Sequence, residues 1–190
     1  MADAGSEWRG VTIGQALRRG AQTYPDEFFL IDGGQRLTFA ETDAVVDHLA
    51  CGLLEAGVQR GDNVACWLTN SAEWALVWLA CCRIGACVVS VNTRYKAAEV
   101  EFILRQSDAK VLVAMEAYWD IDYRAMIEEM IPSLSQSLPG QIDEAAFPSL
   151  RSVMFWRDAD VPGALSLSRL LVSPVAPARL HAAECAVEWD

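Results

Sequence analysis

The sequence predicts an α/β fold: a parallel-sheet βαβ subdomain with flanking helices and an N-terminal β-hairpin. From Asp62 to Ala114, apolar segments of strand length alternate with segments of helical periodicity. Continuous apolar strands separated by helices imply a parallel sheet covered on both faces. Gly85 stands between a helical pattern and a strand pattern and marks a helix stop. Hydrophobic residues make up 53% of the 190, enough to bury a substantial core.

Residues 12–23 form the first expected helix, because Ile13, Leu17 and Ala21 recur at four-residue spacing before Pro25. Strands over 28–31 and 36–39 flank Asp32-Gly33-Gly34, whose glycines suit a tight hairpin turn. Thr38-Phe39-Ala40-Glu41 fits a capping box, in which hydroxyl and carboxylate satisfy the orphan amides at a helix start. A helix is therefore expected over 39–56, with Val45, Leu49, Leu53 and Leu54 buried and Gly57 as its stop. Next come strand 63–68, helix 72–84 capped by Asn70 or Ser71, strand 86–91, helix 98–106 and strand 110–114.

Beyond Met115 the periodicity weakens. A helix over 121–134 would bury Ile127, Met130 and Ile131, and a Ser/Pro/Gln-rich loop spans 135–149. Residues 150–156 resemble a buried strand, 165–171 a short helix, and 173–177 a break. The last thirteen residues need not pack as a unit, and no internal repeat is present.

A net charge of −11, with no basic cluster longer than Arg18-Arg19, lacks the footprint of a nucleic-acid binder. Residues 74–91 form an eighteen-residue stretch whose only charge is Arg83. A mid-bilayer arginine costs about 2.5–3.5 kcal/mol on an insertion scale, so a buried helix and strand are expected instead of a membrane span. None of the six cysteines is spaced C-x-x-C, and the histidines are only His48 and His181, so no metal site is expected. Four of the cysteines lie within 64–91 and read as core thiols. The first nine residues lack an apolar signal-peptide core, which makes a reducing cytoplasm the expected location.

The glycines form neither G-x-G-x-x-G nor G-x-x-x-x-G-K-[ST], and G-x-S-x-G is missing as well. Asp47-His48 reads as the solvated face of a helix. The pairs Glu99/Glu101, Asp120/Asp122 and Glu128/Glu129 sit in ordinary helix-end or surface settings. Trp67, Trp74 and Trp78 read as core packing, with contact to a fatty chain as the alternative.

Several strings, in order, resemble the adenylate-forming superfamily, specifically the N-terminal part of fatty-acyl-CoA ligases. They are Leu37-Thr38-Phe39-Ala40-Glu41, Gly57-Val58-Gln59-Arg60-Gly61-Asp62-Asn63-Val64-Ala65, Asn70-Ser71-Ala72-Glu73-Trp74, Arg83-Ile84-Gly85-Ala86, Val91-Asn92-Thr93-Arg94-Tyr95 and Ser107-Asp108-Ala109-Lys110-Val111-Leu112-Val113. The resemblance is dense over 12–115 and looser after it, and Ser90 stands where the family often has proline.

That resemblance implies a partial N-terminal domain of an acyl-CoA synthetase-like fold over 12–172, after a tail at 1–11 and before a truncated connecting segment at 173–190. It also implies a parent reaction in which a carboxylic acid attacks ATP to give an acyl-adenylate, and the thiol of CoA then displaces AMP, with Mg and ATP as cofactors. The phosphate loop and catalytic residues of that family are not found in 1–190, so an N-terminal fragment, inactive and cofactor-free by itself, is expected. No catalytic and no metal residue is assigned. Thr93, Arg94 and Tyr95 are candidates for a wall of the CoA channel, with Arg94 offering a fork of donors to phosphate and Tyr95 a ring face to adenine. Expected partners are a fatty or other carboxylic acid, the remainder of the ligase, and a second copy through exposed apolar surface. The alternatives are a stand-alone noncatalytic module that binds acyl chains or protein, and an aryl- or amino-acid-activating relative.

Overall fold

Alternating side chains on short apolar strands set the architecture. The computed structural model describes residues 8–157, 161–172 and 175–187. The sheet contains β3 (Asn63–Trp67), β4 (Cys87–Ser90), β5 (Val111–Ala114), β8 (Ser152–Phe155) and β9 (Leu165–Ser166), in the spatial order β4-β3-β5-β8-β9. All its pairings are parallel, with Val64 beside both Val88 and Val111 and with Val111 beside Ser152.

Successive residues on a strand face opposite sides of a sheet, and the buried clusters follow that rule. Val64, Cys66, Val111, Val113 and Met154 enter one core, with α1 (Ile13–Thr23), α2 (Phe39–Glu55) and α3 (Ala72–Ile84). Ala65, Trp67, Leu112, Ala114, Val153 and Phe155 enter the other, with α4 (Ala97–Gln106) and α5 (Tyr123–Met130). The sheet is thus covered on both faces, as the uninterrupted apolar strands require.

Local signals placed the helix ends. Thr38 and Glu41 close the expected capping box on α2, and Thr12 with Gln15 makes a second one on α1. Ser71 caps α3, while Gly85 ends it at φ 72°, a conformation that only glycine adopts without strain. The hairpin of β1 (Phe28–Asp32) and β2 (Gln35–Thr38) forms antiparallel as expected. Its Asp32 carboxylate accepts from the Ala72 amide at 2.8 Å, tying the hairpin to the start of α3.

Several expectations are corrected. Val46, not Val45, is the fully buried valine of α2, because the helix turns its Leu49 and Leu53 face toward the sheet. The helix expected over 121–134 begins two residues later, since β7 (Ile121–Asp122) pairs with β6 (Ala117–Tyr118) in a small ribbon. Leu165 and Ser166 form β9 beside Met154 and Phe155, which reduces the expected helix to the single turn α6 (Leu167–Leu170). Residues 173 and 174 of the expected break lie outside the described residues. Far from standing apart, the chain after it forms α7 (Pro177–Cys185), whose Leu180 is buried in the same core as α2 and α3. Cys87, expected among the core thiols, is exposed because β4 is the edge strand of the sheet.

Arg83 is the largest departure from an apolar core. Its side chain is 0% exposed, and its guanidinium donates to the carboxylates of Asp43, at 2.5 Å, and Asp47. Arg18 from α1 grips the same two carboxylates at 2.7 and 2.9 Å and reaches Glu184 of α7 at 3.2 Å. Asp47 therefore does not lie on a solvated face; it bridges two arginines. Arg18 is held above its ordinary pKa: burial alone would lower it, but the hydrogen bond to Asp47 and the charges of Asp47, Asp43 and Glu184 outweigh that. Among the described residues no helix is long and apolar enough to cross a membrane.

Candidate functional site: a cleft at the carboxyl ends of the strands

In sequence order the strands of the sheet lie 2-1-3-4-5, so the chain reverses its winding direction across β3. In open α/β sheets ligands bind at such a switch point, beyond the carboxyl ends of the strands. That crevice falls between β3 and β5; beside it, over the ends of β3 and β4, lies a cleft of about 580 Å³ lined by Leu68, Thr69 and Asn70 after β3, by Ser90 to Thr93 at and beyond the end of β4, and by Trp74 and Tyr118. A smaller hollow of about 180 Å³ shares Leu68 and Thr69 and extends to Glu116 and Trp156, past the ends of β5 and β8. The larger cleft offers hydroxyl and amide groups from Thr69, Asn70, Ser90, Asn92 and Thr93 between two aromatic side chains.

The loop after β4 is held from beneath. Trp67 Nε1 donates to the Asn92 carbonyl at 3.0 Å, and Tyr123 Oη donates to the Thr93 carbonyl at 2.9 Å. Both aromatic side chains are 0% exposed, and their rings meet edge to face with centroids 4.7 Å apart. Desolvation pushes the Tyr123 phenol above its ordinary pKa, so it remains a donor across the neutral range. Within the loop the Arg94 amide donates to Asn92 Oδ1 at 2.9 Å, and the Tyr95 amide to the Asn92 carbonyl at 3.1 Å.

The three candidate residues border two depressions. Thr93 is half-buried and lines the large cleft, whereas Tyr95 lines a separate groove of about 410 Å³ with Ala98, Glu99, Phe102 and Ile103 of α4. Arg94 is exposed between them, and among the described residues it has no ion-pair partner. Trp67 is fully buried, while Trp74 and Trp78 are half-buried and stacked on each other at 6.3 Å.

At least one member of each acidic pair is occupied by the fold. Glu99 accepts from the Lys96 amide at 2.8 Å, Glu101 pairs with Arg105, Asp122 caps α5 through the Ala125 amide, and Glu128 pairs with Arg124. No group of three or more metal-ligating side chains stands together among the described residues. Residue spacing did not reveal Trp67 and Tyr123 as hydrogen-bond donors to the loop. The available signal was a buried aromatic with a polar tip, which needs a partner.

The parallel sheet, wound in both directions from β3 and with a polar-aromatic cleft past the carboxyl ends of its strands, is a doubly wound α/β domain. The chain belongs to the AMP-binding enzyme family, whose model matches residues 17–182. It is 37% identical over 146 residues to YngI of Bacillus subtilis, covering 76% of this chain and 27% of that protein. It is 34% identical over 164 residues to the mitochondrial medium-chain acyl-CoA ligase ACSF2 of Homo sapiens, covering 85% of this chain and 26% of the relative. The solved structure of a Mycobacterium tuberculosis fatty acyl CoA synthetase superimposes with a TM-score of 0.65 at 27% identity, over 87% of this chain and 29% of that one. The chain thus spans about a quarter of the length of these curated relatives. Its parallel sheet matches the N-terminal domain of acyl-CoA ligase structures.

Proposed function

We propose that the chain is the N-terminal scaffold of an ATP-dependent fatty-acyl-CoA ligase, which joins a carboxylic acid to CoA through an acyl-adenylate with release of AMP and pyrophosphate. The reading rests on the family match together with the similarity to two acyl-CoA ligases, ACSF2 and the mycobacterial synthetase, of which the chain covers 26% and 29%. Residues 12–172 form the body of the scaffold. ATP and Mg belong to the remainder of the ligase, and among the described residues no magnesium ligand is assigned. A cytoplasmic location is part of the same reading.

Within that scaffold the loop Thr93-Arg94-Tyr95 forms one wall of the CoA channel. The observation that carries this is the exposed, unpaired guanidinium of Arg94 on a loop pinned at two consecutive carbonyls, beside a cleft at the strand ends. A planar fork of donors on a fixed loop suits the phosphates of CoA. In an active enzyme containing this chain, Arg94→Ala should raise the KM for CoA at least severalfold and leave adenylate formation, read by pyrophosphate exchange, unchanged. An unchanged KM for CoA refutes the assignment.

A further inference from the structure

Trp67 and Tyr123 meet in one core from separate elements: the last residue of β3 and the first residue of α5. Tyr123 also follows directly on the β6–β7 ribbon, whose Tyr118 lines the large cleft together with Thr93. One tyrosine therefore ties these two lining residues together, through its hydroxyl to the Thr93 carbonyl and through the chain to Tyr118. A hydrogen bond from a packed, fully buried ring fixes a loop more firmly than one from a surface side chain, because the donor has already lost its freedom to packing.

We propose that Trp67 and Tyr123 are positioning residues: their two side-chain donors set the loop from Asn92 to Tyr95, and the Tyr123 hydroxyl thereby governs the affinity of this loop for its ligand without touching it. The ligand part of this proposal rests on the reading of the loop as a CoA wall. The part concerning loop geometry stands on the structure alone. Removing the Tyr123 hydroxyl leaves the ring packed on Trp67 but releases the Thr93 carbonyl, so the loop loosens while the core stays intact. The raised pKa of the phenol means that wild-type behaviour persists up to the alkaline range.

The test uses Tyr123→Phe, with Trp67→Phe as a second variant that removes the other donor. In the chain itself, amide hydrogen exchange at Arg94 and Tyr95 should accelerate at least fivefold in Tyr123→Phe, with the amides of β3 and β5 unchanged. In an active enzyme containing the chain, the same variant should raise the KM for CoA three- to tenfold, with kcat and the KM for ATP within twofold of wild type. Unchanged exchange at both amides overturns the positioning role, whatever the kinetics. Faster exchange with an unchanged KM for CoA, where Arg94→Ala does raise it, overturns the link to affinity alone. If neither Tyr123→Phe nor Arg94→Ala alters that KM, the CoA-wall reading and the link to affinity fall together, and the exchange data decide the loop geometry separately.

Discussion

The Arg83 guanidinium donates to the Asp43 carboxylate at 2.5 Å, so the single charge of the apolar stretch 74–91 is neutralised inside the protein by the helix packed against it. Asp47, one turn further along α2, completes the pairing and passes it on to Arg18. A buried guanidinium deprived of one of two partners keeps its desolvation penalty and loses part of the compensation.

Asp47→Ala is therefore expected to destabilise the chain by about 1–3 kcal/mol, less than a fully uncompensated buried charge would cost, because Asp43 still pairs with Arg83. Asp47→Asn retains an acceptor and should lose less. Urea midpoints of the two variants against wild type check both the size and the order.

Close approach of α1 to α3 depends on Gly14. A Cβ there would stand 2.9 Å from the Arg83 Cα, and the Gly14 carbonyl accepts from Arg83 Nη2 at 3.3 Å. Gly14→Ala should cost about 1–3 kcal/mol through overpacking. Gly34→Ala, where an added Cβ meets nothing within 4 Å, is the control and should be near neutral. Thermal melts of the two variants decide.

Thiol chemistry should divide the cysteines by position. Cys87 and Cys185 are exposed, whereas Cys51, Cys66 and Cys81 are buried. With a soluble disulfide reagent in native buffer, the first two should react fast and the last three only on unfolding, which peptide mapping after labelling would show.

Alkaline pH should weaken the fold through the same buried thiols. Burial raises Cys66 from 9.0 to about 12, and Cys81 also lies well above its ordinary value. Below the unfolded pKa both states hold the proton, so stability is flat. Between the unfolded and folded values the unfolded chain releases a proton that the native state keeps, and stability falls as pH rises, by about 1.4 kcal/mol per pH unit for each such thiol. Urea midpoints between pH 8 and 11 should therefore decline, and Cys66→Ala, starting lower, should decline less steeply.

The sequence made β3, β4 and β5 legible because each is an apolar run bounded by a cap or a glycine, a local signal that packing then reinforced. β9 was not legible. Two residues beside Met154 and Phe155 form a strand only because β8 offers them an edge, and Leu165 to Leu171 carries helical spacing when read alone. The same holds for α7, which owes its order to Leu180 in the core and Glu184 on Arg18 rather than to a strong amphipathic pattern. At the cleft, the loop residues were singled out through a family resemblance and stand as a proposal, but the donors beneath them were not singled out, because Trp67 and Tyr123 reach the loop across 25 and 30 residues of chain. Asp47 could have been found: a lone arginine in an apolar run demands a carboxylate, and Asp43 and Asp47, four apart on one helix, offer two.

The knot around Arg18 joins its first and last members across 166 residues. A ribosome delivers Arg18, Asp43, Asp47 and Arg83 long before Glu184 emerges, so the nascent polypeptide can assemble a balanced core of two cations and two anions early. The turn of α7 that carries Glu184 closes on Arg18 only after those four partners have been made, so this helix fastens a core whose charges are already balanced.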